Sequence, residues 1–354
     1  MELTKCKLGE LITQRREKSD GTPLPICGVS KDGLIPPKQI DADTSIYNVF
    51  YRDDFVFNPA RMELNSIAIN DKYDRAICSS LYEIFYVHRT DLLLPHFLKL
   101  IVKQKWFTRY CEFLGQGSAR EYCRFNNISE IEIEFPSIEE QKKIVEQYTI
   151  LQKRITIKKQ INDNLEATAQ AILRNKIELN GEESTVDSLI ELFDNMRRPM
   201  SSLERSGMER LYPYYGAAAL MDYVDDYIFD GIFGLIGEDG TVMDENGYPT
   251  MQYVWGKFWV NNHAHIFRGK NGYSTELVYL ILKSTVVRNA VTGAVQLKIN
   301  QENLRKLPVS VPACSDLNEL NSIIGKTFNQ IRANCDEIER LNQLRDILLA
   351  KLSD

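Results

Sequence analysis

The chain has 354 residues, of which 44% are hydrophobic, and this is enough for two globular domains that each bury a core. The formal net charge of −6 argues against a protein that holds DNA by its own charge alone, since such proteins usually carry a basic stripe. The seven cysteines are scattered without CxxC spacing, and the chain shows neither a membrane-length apolar run nor a signal-peptide pattern. We therefore expect a reduced, cytoplasmic protein without a disulfide framework, a zinc site or a membrane partner.

Residues 1–136 have the composition of short strands separated by turns. The clearest strand-like runs are residues 47–50, 54–57, 66–69 and 83–87. Asp32-Gly33 marks a turn between two such strands. Residues 96–113 look like short helices instead. The pattern predicts a mixed domain of strands and short helices over residues 1–136.

A long helix is predicted to follow over residues 137–180, because residues 138–178 contain neither proline nor glycine. Ile144, Tyr148, Leu151 and Ile155 are spaced by four, three and four residues, which is typical of a coiled coil. The stripe then resumes with a shift in phase through residues 161, 165, 168 and 172. At 1.5 Å per residue, this helix is a rod of about 60 Å.

The remaining chain repeats this order. Residues 181–312 again read as strands and short helices, with turns at Asp239-Gly240, Asn246-Gly247 and Asn271-Gly272. Residues 313–354 form a second long helix with its own apolar stripe. We therefore divide the chain into a first domain (1–136), a first helix (137–180), a second domain (181–312) and a second helix (313–354).

Direct comparison of the two halves indicates an internal duplication. When the chain is shifted by 176 residues, the region 115–178 aligns with 291–354 without a gap, and Phe135-Pro136 falls on Val311-Pro312. Near the two starts, residues 8–12 resemble 189–193, and residues 25–28 resemble 213–216. The alternative is that two amphipathic helices align by chance. The proline before each helix and the shared glycine-containing element favour duplication.

A helix that exposes such an apolar stripe to water is not stable alone, so we expect the two helices to pack against each other. An antiparallel pair would relate the two domains by pseudo-twofold symmetry. The alternative is a coiled coil that joins two chains. The residues predicted to pack the helices or to bind a partner are Ile144, Leu151, Ile155, Leu165, Ile172, Ile324, Ile331, Ile338, Leu341 and Leu348.

No catalytic site is evident in the sequence. There is no GxxxxGK[ST] loop, and the glycines at 231, 234 and 237 have the wrong spacing for GxGxxG. Residues 57–60 (Phe-Asn-Pro-Ala) lack the second proline and the aromatic residue of an adenine methyltransferase motif. His263 and His265 are suitably spaced for one face of a strand, but no third metal ligand is apparent. We predict no catalytic residue, no cofactor and no metal in this chain.

Several segments of the sequence together carry a resemblance to a known family. They are residues 116–118 (QGS), 133–136 (IEFP), 139–141 (EEQ), 214–217 (YYGA), 225–227 (DDY), 235–240 (LIGEDG) and 259–265 (WVNNHAH). In these segments and in its architecture, the chain resembles the specificity (S) subunits of type I restriction-modification systems, and the resemblance covers the whole chain. Residues 314–319 depart from the family pattern, because they lack the Glu-Gln pair of residues 140–141.

The resemblance implies an α+β fold in which two target-recognition domains each read one half of a split DNA sequence. The long helices would set the unread spacer between the halves and dock two modification (methyltransferase) subunits. S-adenosylmethionine, ATP and Mg²⁺ would then be bound by the modification and restriction subunits, and not by this chain. Basic groups of those partners would also compensate for the acidic charge of this chain.

Polar and basic residues in predicted loops are the candidates for contacting DNA. They are Arg15, Arg16, Lys31, Arg61, Gln116, Ser118, Arg120, Arg124, Arg197, Arg198, Tyr215, His263, Gln296 and Lys298. Gln116, Ser118, Arg120, Gln296 and Lys298 rank highest, because they follow glycine-containing turns at equivalent places in the two halves. Two other functions stay open from the residues alone: a coiled-coil scaffold that does not bind DNA, and an enzyme with an unrecognised site.

Overall fold

The computed structural model describes residues 3–37, 39–40, 43–115, 122–293 and 296–352. The chain forms two compact units, the first made of Met1–Ile157 with Ile338–Asp354 and the second of Lys158–Glu337. Each unit contains part of both long helices, so the helices are built into the domains and do not merely connect them. None of the described helices is long and apolar enough to span a membrane.

Among its described residues, the first unit contains ten strands, three short helices, the start of one long helix and the end of the other. The strands are β1 (Thr4–Lys7), β2 (Ile12–Arg15), β3 (Ile26–Ser30), β4 (Gly33–Ile35), β5 (Asn48–Tyr51), β6 (Phe55–Phe57), β7 (Ile67–Ile69), β8 (Arg75–Cys78), β9 (Glu83–Val87) and β10 (Glu132–Phe135). The helices are α1 (Pro95–Val102), α2 (Lys105–Gly115), α3 (Phe125–Ser129) and the long α4 (Ile138–Asn180).

Three sheets organise the first unit. The order of one four-stranded sheet is β2-β9-β6-β7, that of the other is β4-β3-β8-β5, and β1 pairs with β10. The Phe55 and Phe85 rings stack at 4.9 Å between neighbouring strands, and such cross-strand pairs stabilise a sheet. The predicted Asp32-Gly33 turn joins β3 to β4, and Gly33 has a φ of 128°, which disfavours a side chain.

The second unit repeats this arrangement. Its strands are β11 (Glu182–Thr185), β12 (Ile190–Leu192), β13 (Tyr212–Tyr215), β14 (Leu220–Val224), β15 (Phe229–Asp230), β16 (Phe233–Gly237), β17 (Met251–Val254), β18 (Lys257–Val260), β19 (Ala264–Gly269), β20 (Val291–Thr292), β21 (Lys298–Ile299) and β22 (Pro308–Val311). Its helices are α5 (Val186–Leu189), α6 (Ser202–Ser206), α7 (Thr275–Lys283), α8 (Gln301–Lys306) and the long α9 (Leu317–Ala350).

The sheet topology confirms the predicted duplication. The second unit has sheets of order β12-β19-β16-β17 and β14-β13-β18-β15 and a β11-β22 pair, which reproduce the three sheets of the first unit strand for strand. In both units one strand pair is parallel, β3 with β8 and β13 with β18. The second unit also contains the short β20-β21 hairpin, and the corresponding segment of the first unit includes residues 116–121, which lie outside the described part of the chain.

One predicted alignment has the wrong register. The sequence predicts that Leu8 is equivalent to Leu189, but the backbone hydrogen bonds show that Leu11 is. His88 N–H donates to the carbonyl of Leu11, and Lys270 N–H donates to that of Leu189. The error is three residues because each segment contains two leucines three positions apart, Leu8 and Leu11 in one and Leu189 and Leu192 in the other, and this spacing does not identify which leucine precedes the strand.

The long helices bury their stripes in two different cores. In the second unit, Ala169 and Leu173 of α4 join Leu320, Ile324 and Phe328 of α9 in one cluster with α7. Of the predicted packing residues, Leu165, Ile172, Ile324 and Ile331 contact this core, and Ile144 contacts the core of the first unit. Ile155 and Leu341 are buried. Leu151, Ile338 and Leu348 are half-buried.

Within the second unit the two long helices run antiparallel. Lys158 donates a hydrogen bond to Asn334, whereas Lys176, further along α4, donates one to Asp316, the residue just before α9. Asn334 is 1% exposed, and its amide donates to Asn162 Oδ1 at 2.7 Å and accepts from Lys158 Nζ at 3.0 Å. A buried polar layer of this kind favours one register of a helix pair over others. The predicted antiparallel pairing is confirmed for this part of the helices.

Replacing Phe328 by alanine should destabilise the second unit, because this ring is buried between Tyr253 and Tyr279. We expect the free energy of unfolding to fall by about 3–5 kcal/mol, the usual effect of removing a buried phenylalanine ring. Urea denaturation followed by tryptophan fluorescence measures it. Phe113→Ala is the matched control, since Phe113 is 68% exposed. A loss of less than about 1 kcal/mol at Phe328 would show that this cluster does not hold α9 in place.

Candidate nucleic-acid interface

Four predicted contact residues of the first unit have exposed side chains: Arg16, Lys31, Arg61 and Arg124. Arg124 Nη1 lies 3.3 Å from Glu83 Oε1. Gln14 accepts a hydrogen bond from Arg16 Nε at 2.7 Å and donates one to the other oxygen of Glu83 at 3.4 Å. The fold thus brings Arg16 and Arg124 to one polar cluster around Glu83. Lys31 lies in the turn between β3 and β4, and Arg61 lies in a 3-10 turn after β6.

Arg15, by contrast, is bound within the fold. Its Nε and Nη2 donate to the two carboxylate oxygens of Asp54 at 2.6 and 3.1 Å, and its guanidinium lies 4.7 Å from the ring centres of Tyr51 and Tyr86. Asp54 is 1% exposed, and its burial raises the pKa of its carboxyl group in spite of Arg15. A DNA contact by Arg15 would have to open this pair and leave a buried carboxylate without its cation.

Three of the highest-ranked candidates, Gln116, Ser118 and Arg120, lie outside the described residues. The flanking chain is described on both sides. Helix α2 ends at Gly115, and Cys123 is buried in the core of the first unit. These three residues therefore stay predictions from the sequence.

In the second unit, Arg198, His263, Gln296 and Lys298 have exposed side chains, whereas Tyr215 is half-buried. Three of the predicted residues meet around Glu238. Arg197 Nη1 lies 2.6 Å and Lys298 Nζ 3.2 Å from the Glu238 carboxylate, and Glu238 N–H donates to the carbonyl of His263. The sequence did not predict this meeting point.

Arg197, Glu238 and Lys298 belong to a set of charges that we call the ion network, which also includes Asp194 and His265. Of these, Asp194 and His265 are buried. His265 is fully buried, with Nδ1 2.5 Å from Asp194 Oδ2 and Nε2 2.8 Å from the carbonyl oxygen of Ile299. Burial alone would raise the pKa of Asp194, but the hydrogen bond and charge of His265 outweigh burial and lower it. The network thereby joins β19 to β21, the strand that carries Lys298.

Asp194, Glu238 and His265 could also suggest a metal site, since one ligand atom of each lies within 4.8 Å of the others. The partners argue against this. Both nitrogens of His265 face oxygen acceptors, so neither presents a free lone pair to a metal. Gln301 Nε2 lies 2.5 Å from Asp194 Oδ2, and Arg197 and Lys298 supply positive charge to Glu238. We interpret the set as a closed network of ion pairs.

Comparison with known proteins gives a consistent match. The family model for type I restriction modification DNA specificity domains matches residues 39–167 and again residues 180–348. The chain belongs to this family.

Two relatives of these specificity domains are informative. A Haemophilus influenzae protein described as a type I restriction enzyme specificity subunit is 34% identical over 140 residues, which are 39% of this chain. The match spans 35% of that relative's length. The solved S subunit of the type I restriction-modification system from M. genitalium is 16% identical, with a TM-score of 0.61 over 99% of this chain and 96% of that one. This similarity supports the shared fold.

Asp194 and Glu238 of the ion network, and Gln301 beside it, are not among the residues predicted from the sequence. Asp194 and His265 are 71 positions apart, and Gln301 lies 107 positions from Asp194. Periodicity within one strand or helix carries no information on pairs so distant in the chain. The only local indication of the ion network is His265, in the His263-Ala264-His265 run.

Replacing Asp194 by asparagine should destabilise the second specificity domain in a pH-dependent way. Because folding lowers the pKa of Asp194, its contribution is complete above the unfolded value of about 3.9 and is lost as pH falls through the lower folded pKa. We expect the variant to be less stable by about 3 kcal/mol near pH 7, as when one partner of a buried pair is removed. Its deficit relative to the unaltered chain should shrink below about pH 4.

Urea denaturation across that pH range measures the deficit. Asp225→Asn is the control, because Asp225 is exposed and lies outside the ion network. A deficit that stays constant down to about pH 3 would mean that the charge of Asp194 is not what stabilises the fold.

Proposed function

We propose that this chain is the DNA sequence-specificity subunit of a type I restriction-modification complex. Each specificity domain reads one half of a bipartite duplex target, and the long helices set the unread spacer and dock two modification subunits. The observation that carries this proposal is that one family model matches both halves of a duplicated fold. Two similar but non-identical readers in one chain suit a target with two different halves.

The distribution of charge supports a role within a complex. The chain carries a net charge of −6, and Arg15 is paired with the buried carboxylate of Asp54 and Arg197 with the half-buried carboxylate of Glu238. Affinity for DNA comes largely from neutralising phosphates, so partners of this chain would supply much of it. The exposed side chains of Arg16, Arg124, Arg198, Gln296 and Lys298 would then contribute contacts that depend on sequence or position.

In this proposal the chain is not itself a catalyst and acts in the cytoplasm. The modification subunits bind S-adenosylmethionine and methylate adenine, and restriction subunits add translocation and cleavage that consume ATP with Mg²⁺. The arrangement of His265, Asp194 and Glu238 agrees with this division, because all three are engaged in the ion network.

Selection from a pool of random DNA duplexes tests the proposal. The full chain, alone and assembled with its modification subunits, is incubated with the pool, and the bound DNA is sequenced. We expect the assembled complex to enrich two short fixed elements separated by an unread spacer of constant length. Assembly with the modification subunits but no sequence preference would contradict DNA reading and favour a scaffold.

Lys298→Ala should weaken DNA binding by the complex, because this exposed lysine lies on β21 beside the predicted contact Gln296. If Lys298 contacts a phosphate, the dependence of log affinity on log salt should become shallower by about 1. Lys306→Ala is a matched control, since Lys306 is also an exposed lysine of the second unit but lies on α8 and pairs with Glu302. Equal changes in DNA affinity and salt dependence in the two variants would show that Lys298 does not contact DNA.

A further inference from the structure

One side-chain amide in the first unit ties the long helix α4 to the loop before α1. Gln141 is fully buried, although glutamine is usually exposed. Its Oε1 accepts from Leu94 N–H at 2.9 Å, and its Nε2 donates to the carbonyl oxygens of Leu92 and Pro136, each at 2.8 Å. Leu94 is the N-cap residue of α1. All the hydrogen-bonding groups of the amide are therefore used in this one junction.

The second unit makes the same junction with a different residue. Asn321 Oδ1 accepts from Ser274 N–H at 3.0 Å, and its Nδ2 donates to the carbonyl of Gly272 at 2.6 Å. Ser274 is the N-cap residue of α7, and Gly272 precedes it by two residues, as Leu92 precedes Leu94. We call these two junctions the amide clips.

The two clips are not aligned in the sequence. The 176-residue shift places Gln141 on Leu317, whereas Asn321 lies four residues, or about one helical turn, further along α9. The missing Glu-Gln pair in the second helix is thus replaced from the next turn. A contact that reappears from another position in a duplicated fold indicates that the contact itself matters, since descent by duplication would keep the position.

Hydrogen bonds and apolar packing differ in what they fix. Helix α1 buries Phe97, Leu98 and Ile101 against the first core, and α7 is buried in the second. Burial of apolar surface stabilises such contacts but is non-directional. A hydrogen bond requires a defined angle at donor and acceptor, so an amide with two or three bonds defines the orientation of the long helix against the domain.

We propose that Gln141 and Asn321 are positioning residues, which determine the orientation of each specificity domain on its long helix. This orientation in turn determines how the domain contacts its half of the DNA target. This rests on the proposed function. Each clip acts within its own unit, so its loss impairs the reading of one half-site and leaves the other intact. The effect at Asn321 is the smaller, because α7 also forms ion pairs through Glu276 with Arg332 and through Lys283 with Glu166.

The test uses two near-isosteric variants, Gln141→Met and Asn321→Leu, in the full chain assembled with its modification subunits. Selection from random duplexes gives the base preference at each position of the two half-sites. We expect Gln141→Met to relax the preferences in one half by about tenfold, and Asn321→Leu to relax those in the other half, each leaving its opposite half unchanged. Gln147→Leu and Asn318→Leu, at exposed positions of the same helices, are the controls.

A second measurement separates positioning from general loss of structure. Hydrogen exchange of the Leu94 amide should accelerate in Gln141→Met, and that of the Ser274 amide in Asn321→Leu, without faster exchange in the central strands. If Gln141→Met does not assemble, Gln141→Glu keeps the acceptor for Leu94 and loses both donors, and it is measured in the same way.

The outcomes distinguish the two proposals. Folded variants that keep all base preferences, or that lose them equally in both halves, would overturn the role of the clips while leaving DNA reading intact. An unaltered complex that selects no split sequence would instead overturn the proposed function, whatever the exchange rates of Leu94 and Ser274.

Discussion

The burial of two apolar stripes, one on each long helix, is the constraint on which the rest of this structure depends. A helix with such a stripe is unstable alone in water, because most helical stability in proteins comes from packing. In the second unit the stripes of α4 and α9 meet in the same core as α7, with Leu173, Ile324 and Phe328 among its buried members. Helices and domain therefore share one core, so a shift of the helix must disturb the domain that it carries.

Buried polar side chains define the register and orientation of the helices and strands, which non-directional apolar packing does not define. Asn334 forms a buried hydrogen-bonded layer between the helices, and Gln141 and Asn321 attach each helix to its own domain. The ion network around His265 does the same within the second domain, where it ties β19 to the strand that carries Lys298. In each case the groups are paired, as burial requires.

The amino-acid sequence predicts the strand-rich domains and both long helices, because their periods are visible over a few residues. It also predicts the duplication, because the two halves align at a shift of 176 residues. Periodicity does not reveal partners distant in the chain. Arg15 and Arg197 look like surface cations until Asp54 and Glu238 are placed beside them. Asn321 could not be found by alignment with Gln141, since it reaches the same loop from another helical turn. Matching of apolar residues likewise aligns the segment before β2 three positions out of register.

The proposed function requires that two similar domains in one chain read two separated halves of a DNA sequence. Mapping of adenine methylation across the genome, in cells with and without the gene for this chain, is the decisive experiment. We expect a methylated motif with two fixed parts and an unread spacer of constant length, which disappears with the gene. A contiguous motif, or a methylation pattern that does not change when the gene is removed, would be incompatible with this function.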